Sequence, residues 1–481
     1  MIEKRKLLGN SFSLLANRLT QSLTTFVLVA AIARILGPYE LGQYMLAFSY
    51  YYVFMTLASQ GLKTLFTREL SLHPEETPIY LVSGTFLQFI FCVVGYVVLA
   101  IVVFALPYSA ETSKVCYIMG LTIIPFSLSN ITEAIFQGQE KMHLIAISTV
   151  PVYILRVIVM IWAMNLKYDI NTVSVLMVIS ETVILLVEWG LLTRFIQPKW
   201  QIDWDFIWRT VKASRVFLAI EGMAVLKERI QVLILSLLAG EIVVGLYGSV
   251  AQLMQPFQII SYSIVIAVFP SMSKALLLGK EKQREMAETV VEMLLIVALP
   301  FIVGLLFIGQ DLLIFVYRNP SFANATTALN LMAFGLIASA LTRPLSYTLV
   351  ANGFEKINLY EVIISTVLGG LLSIVLVAQY KLNGAALSVL ILQIISCGVY
   401  VYFVYKHLFN LKLWKMLRRP LLITTLMWII FLVLNKINLN LLMTMLTATL
   451  AYVLIVGVSG VYAFGGPTTV YAKLLQNKRE S

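Results

Sequence analysis

Charge is scarce in this sequence. Asp, Glu, Lys and Arg make up only 12% of its 481 residues. Soluble globular chains carry about 25%, so the scarcity excludes a soluble enzyme, a disordered chain and a nucleic-acid module. Cysteine and histidine are rarer still, with three of each. Cys92, Cys116 and Cys397 lie in apolar runs without C-x-x-C spacing, which offers no disulfide framework and leaves them as packing residues. His73, His143 and His407 are far apart in polar connections, so no metal cluster is expected. The motifs G-x-x-x-x-G-K-[ST], H-E-x-x-H and G-x-S-x-G are missing too, which argues against ATP hydrolysis within the chain and against an enzyme. No cofactor is expected.

Apolar residues fill the gap. They make up 60% of the chain, and its mean hydropathy is +0.89. A membrane-spanning helix needs about 20 apolar residues. Fourteen such segments can be placed, near 14–36, 44–65, 80–106, 115–136, 144–166, 173–195, 216–238, 245–269, 291–317, 326–350, 357–378, 384–405, 420–434 and 440–464. The apolar run after Lys4, Arg5 and Lys6 is as long as a full crossing and lacks a cleavage-like end, so it reads as the first span and not as a signal peptide. The expected fold is an all-α polytopic membrane protein.

Basic residues test the topology, because they accumulate in short cytoplasmic loops. The N-terminus, the even-numbered loops and the C-terminus hold 24 of the 35 Lys and Arg. The odd-numbered loops hold six: Arg34, Lys114, Lys167, Arg318, Lys381 and Lys436. Both termini are therefore expected in the cytoplasm, and the net charge of +11 mostly records orientation.

The chain also repeats itself. Leu36-Gly37 followed by Gly42-Gln43-Tyr44 recurs as Ala239-Gly240 followed by Gly245-Leu246-Tyr247, an offset of 203. Gly138-Gln139-Glu140-Lys141 recurs as Gly353-Phe354-Glu355-Lys356, an offset of 215. Six helices separate equivalent points, and because six is even the halves must run in the same direction, as in parallel-repeat transporters. The expected organisation is a six-helix bundle over 1–195, an interfacial linker over 196–215, a second six-helix bundle over 216–405, and a basic loop, two extra helices and a tail over 406–481. In the linker, Trp200, Trp204 and Trp208 recur every four residues beside Lys199, Arg209, Lys212 and Arg215, which reads as lipid anchoring at the cytoplasmic surface. His407 to Arg419, with Trp414 among basic residues, reads likewise.

Ionisable residues at membrane depth are the functional candidates, since a charge at a helix centre costs about 2.5–3.5 kcal/mol on insertion scales. The seventh segment holds Glu221, Lys227, Glu228 and Arg229, with Glu221 and Glu228 on one face. The first carries Arg18, Gln21, Ser22 and Thr25 at helical spacing. These two polar stripes are expected to line a hydrated cavity. Arg156 falls mid-way along the fifth segment, Arg343 lies beside Pro344 in the tenth, and Glu181 and Glu188 share a face of the sixth. Two readings compete: the cations pair with Glu181, Glu221 and Glu228, or they bind an anionic group such as phosphate, for which arginine offers bidentate geometry. Tyr44, Tyr50, Tyr51 and Tyr52 read as interface-belt residues, with sugar stacking the alternative.

Asn10 to Arg18, the Ile35-Leu36-Gly37-Pro38-Tyr39-Glu40-Leu41-Gly42-Gln43-Tyr44 turn, Gly61, Gly245-Leu246-Tyr247 and Phe269-Pro270 resemble the Wzx-type O-antigen flippases. These form the polysaccharide-transporter family of the multidrug/oligosaccharidyl-lipid/polysaccharide flippase superfamily. The resemblance implies translocation of an undecaprenyl-diphosphate-linked oligosaccharide across the cell inner membrane by alternating access, coupled to an H+ or Na+ gradient. It also implies association with membrane lipids and with polysaccharide polymerase machinery. Arg18, Arg156, Lys227, Arg229 and Arg343 are then the substrate-binding candidates, and Glu181, Glu221 and Glu228 the cation-coupling ones. A drug/cation antiporter, a lipid II flippase and a membrane polysaccharide polymerase remain alternatives.

Overall fold

The computed structural model describes residues 2–463 apart from 60, 199 and 438. Lys199 of the linker and the basic tail after residue 463 lie outside the described residues. The described residues form helices and no strand, the expected outcome where every backbone group must be satisfied within its own segment. In chain order the helices are α1 (Ile2–Ile35), α2 (Pro38–Ser59), α3 (Leu62–Leu72), the short α4 (Thr77–Ile79), α5 (Thr85–Ala105), α6 (Ala110–Gly120), α7 (Ile123–Gly138) and α8 (Met142–Asn165). Then follow α9 (Ile170–Leu192), α10 (Trp204–Ala239), α11 (Glu241–Ala275), α12 (Lys280–Tyr317), α13 (Thr326–Ala351), α14 (Glu355–His407), α15 (Leu413–Lys436) and α16 (Leu441–Ala463).

Among the described residues, eleven helical stretches are long and apolar enough to cross a membrane. Helices α2 and α10 are not among them. Helix α14, counted once, covers two of the fourteen sequence segments, and its backbone breaks at Lys381 (φ 46°, ψ −118°) between them. The protein is an all-α polytopic membrane protein. Its outward apolar side chains, such as Phe104 on α5, Leu186 on α9 and Leu454 on α16, are exposed because their solvent is lipid.

The chain divides into two compact units. The first comprises Met1–Gln252, Val316–Phe322 and Val362–Ala385; the second comprises Leu253–Phe315, Ala323–Glu361 and Ala386–Ser481. In the first unit α1 packs along α8, α2 along α10, and α7 against α3 and α9. A core of Leu62, Phe66, Leu70, Ile131 and Ile135 joins α3 to α7 and includes Phe206 from the start of α10. Asp203 caps that start by accepting from the Phe206 amide at 2.8 Å. The Trp-rich stretch does not form a separate interfacial helix, because α10 runs unbroken from Trp204 into the charged segment. Trp204 and Trp208 project from its first turns, 60% and 70% exposed.

The internal repeat has a backbone cause. Gly37 and Gly240 both take left-handed φ, 103° and 80°, where a side chain is strained. Five residues on, a Cβ on Gly42 would lie 1.8 Å from the Glu241 carbonyl oxygen, and one on Gly245 would lie 2.0 Å from that of Pro38. The matching glycines therefore let α2 and α11 cross at backbone contact. The second repeat has a different register from its letters. The left-handed residue is Glu140 in one copy and Gly353 in the other. The Lys141 amide reaches the Phe136 carbonyl as Phe354 reaches Leu349, at 2.7 and 2.9 Å. Turn geometry thus sets an offset of 213, two residues from the letter match.

Candidate functional site

Helix α2 carries Tyr44, Phe48 and Tyr52 four residues apart, so their rings stand on one face and stack with centroids 6.1 Å apart at each step. Tyr51 meets Phe48 edge-on at 5.7 Å and Phe126 of α7 at 6.0 Å. These tyrosines are not a lipid-facing belt. Tyr44, Tyr50 and Tyr51 are buried, with Tyr50 bonded to Tyr108 at 2.9 Å. The reason is that α2 is enclosed by α5, α6 and α10 and offers little surface to lipid.

Beside this face the first unit holds a cavity of about 60 Å³, lined by Gln21 and Thr25 of α1, Tyr44 and Phe48 of α2, Arg156 of α8 and Glu181 of α9. Arg156 and Glu181 are both buried and joined by a 2.6 Å hydrogen bond from Nη1 to Oε1. The same nitrogen contacts Ser180 Oγ at 3.4 Å, the guanidinium lies 4.8 Å from the Tyr153 ring, and Arg156 Nε has no partner among the described residues. Removing two charges from water is costly, and their attraction repays it only when the remaining polar groups are satisfied.

Arg229 of α10 reaches the aromatic row too. Its guanidinium stands over the Tyr52 ring at 4.7 Å and the Phe48 ring at 5.4 Å. It pairs with Glu228 at 3.2 Å, and its side chain keeps 21% exposure, against 7% for Arg156. Glu228 is exposed. Glu221, two turns earlier, accepts from Thr64 at 3.3 Å, and Lys227 is half-buried. Gln231 fixes the helix by donating to the Ala385 carbonyl at 3.1 Å and accepting from Ser373 at 2.5 Å.

Thus Arg156, Glu181 and Arg229 share one aromatic face, while Glu221 lies two turns earlier on α10. Arg18 is exposed on α1. Arg343 belongs to the second unit, where it donates to the carbonyl and side-chain oxygens of Gln258 at 3.0 and 2.5 Å. Sequence reasoning passed over Phe48. Its spacing from Tyr44 and Tyr52 was the available signal. It also missed the Lys63–Glu133 ion pair, because neither residue reveals its partner helix. Among the described residues no cluster of three metal-ligating side chains occurs.

Known proteins place this architecture. A family model described as polysaccharide biosynthesis protein matches residues 7–276, more than half the chain. The capsular polysaccharide biosynthesis protein CapF of Staphylococcus aureus is 22% identical over 409 residues, covering 83% of this chain and 99% of CapF. The lipid II flippase MurJ in its inward closed conformation superposes with a TM-score of 0.76 at 16% identity, over 93% of this chain and 98% of MurJ. An inward-facing multidrug resistance transporter of the MATE family, in the MOP superfamily, gives a TM-score of 0.64 at 14% identity, over 80% and 94%. At such identities the last two establish the fold, which is that of membrane transporters, and the family model establishes the lineage: the chain belongs to the polysaccharide biosynthesis protein family.

Proposed function

We propose that this protein is a flippase that moves an undecaprenyl-diphosphate-linked oligosaccharide repeat unit from the cytoplasmic to the outer leaflet of the cell inner membrane. It works by alternating access driven by an H+ or Na+ gradient, with both termini cytoplasmic and no bond chemistry of its own. The two bundles over 1–195 and 216–405 are the moving halves, joined by the linker over 196–215 and followed by the region over 406–481.

The observation that carries this reading is Arg229. A guanidinium at membrane depth, seated on the Phe48 and Tyr52 rings and still partly exposed, offers both chemistries that a diphosphate-sugar headgroup requires. Arginine matches phosphate bidentately, and aromatic faces stack on sugar rings. Lys227 adds positive charge two residues away on α10, Arg18 is a further exposed cation on α1, and Arg343 offers another in the second unit. Arg156 holds Glu181 and lines the same small cavity as Tyr44, Phe48 and Tyr52. Glu221 and Glu228 remain the coupling candidates on α10. The family's printed role and the name of CapF agree with a glycan substrate, and polysaccharide polymerase machinery is the natural recipient of the product.

The test is a leaflet-resolved assay with purified protein in vesicles. It should transfer lipid-linked oligosaccharide and leave lipid II and drug cations in place. Transfer of lipid II alone would reassign the protein as a peptidoglycan flippase, drug efflux alone would make it an antiporter, and polymerised product would make it an enzyme.

A further inference from the structure

Helices α8 and α9 hold a second buried acid that substrate recognition does not use. Glu188 is fully buried on α9. Its Oε1 accepts from Ser148 Oγ at 3.1 Å, and its Oε2 is buried with no hydrogen-bond partner among the described residues. The groups that face it are Glu133 from α7, Lys63 from α3, Tyr153 and Ser148 from α8, and Glu181 from its own helix. Lys63 is bonded to Glu133 and Arg156 to Glu181. Two cations therefore serve three carboxyls, and the one left over is the most deeply enclosed.

The second half of the chain carries the same device fully satisfied. In the register set by turn geometry, Ser148 corresponds to Glu361. Glu361 is also buried, but Ser396 donates to its Oε1 at 2.5 Å and Tyr400 to its Oε2 at 3.4 Å. Hydroxyl and carboxyl have exchanged helices, and of these two acids it is Glu188 that keeps an oxygen without a partner among the described residues. A buried carboxylate without a counter-charge is neutralised instead of tolerated. A hard metal cation gathers about six oxygens, whereas Glu188 and Ser148 together supply three, so the chemistry suits a proton.

We propose that Glu188 is a proton-binding carboxyl, protonated in this conformation and deprotonated when the α8–α9 pair opens to water, and that this cycle couples translocation to the proton gradient. The coupling half of the proposal rests on the flippase reading; the proton-binding half does not.

Infrared difference spectra of the full chain in lipid nanodiscs test the first half. Wild type minus Glu188→Gln should show a protonated-carboxyl C=O band at neutral pH that disappears under alkaline conditions. Ser148→Ala, the second variant should Glu188→Gln fail to fold, should shift that band by removing its hydrogen bond. A difference spectrum containing only carboxylate bands, no shift in Ser148→Ala, or loss of the band on adding sodium at constant pH would each overturn the assignment. For the second half, a proton gradient should accelerate lipid-linked oligosaccharide transfer by wild type about tenfold and leave Glu188→Gln unaffected. Equal acceleration of both proteins overturns the coupling role. No transfer by wild type with the Glu188 band in place removes the flippase reading and leaves the proton site standing.

Discussion

Two arginines on the same aromatic row have opposite settings. Arg156 is enclosed with Glu181, and truncating it leaves a buried carboxylate alone. Arg156→Ala should therefore destabilise the protein by about 3–5 kcal/mol, whereas Arg156→Met with Glu181→Leu should come close to wild-type stability, because apolar replacement of a buried pair is often neutral. Thermal unfolding in detergent reads both. Arg229 is partly exposed and stacked, so Arg229→Ala should fold normally and lose transfer instead. A hydrogen bond to a charged group contributes about 1.5–3 kcal/mol, which predicts a fall of roughly ten- to a hundredfold in transfer rate. Wild-type transfer by folded Arg229→Ala would remove this residue from recognition. That both arginines fall within long helices was legible in the sequence, since an apolar run shows where a charge stands along a helix. Their partners were not. Helical spacing says which residues share a face, but not which neighbouring helix that face meets, so Tyr51 looked like a belt residue.

Helix crossings and caps set the next scale. The Gly42 and Gly245 contacts make the α2–α11 crossing intolerant of any side chain, because the obstructing atoms are backbone oxygens. Gly42→Leu should cost more than the about 1–3 kcal/mol of ordinary overpacking and reduce folded yield. A Gly42→Leu protein with unaltered unfolding temperature would refute the crossing. At the start of α9, Asp169 accepts from the Asn171 side chain at 2.7 Å and the Thr172 amide at 3.1 Å. These bonds, the Asn171 contact foremost, hold its carboxyl below the ordinary value. The stabilisation is therefore complete above about pH 4 and is lost as the pH falls through the lower folded-state value. Asp169→Ala should remove about 1 kcal/mol at neutral pH and that acid-side decline with it. Element positions were largely legible from runs of apolar residues, including the break near Lys381 in α14. The true offset of the second repeat was hidden because glutamate, and not glycine, occupies the left-handed position at Glu140, so matching letters misaligned the copies by two residues.

For the whole molecule, composition decided the class and the family model decided the lineage, while the proposed cargo rests on the chemistry of one aromatic row. Charged residues are few in this protein, and those named above as buried or half-buried stand on helices α3, α7, α8, α9, α10, α13 and α14. The central claim is that positive side chains at membrane depth recognise a diphosphate headgroup. The measurement that tests it most directly compares vesicle transfer of one oligosaccharide carried on undecaprenyl diphosphate with transfer of the same oligosaccharide on an uncharged polyprenyl lipid. Recognition through Arg229 and its neighbours predicts transfer of the diphosphate lipid at least about tenfold faster, with the advantage lost in Arg229→Ala. Equal rates for the two lipids would contradict it.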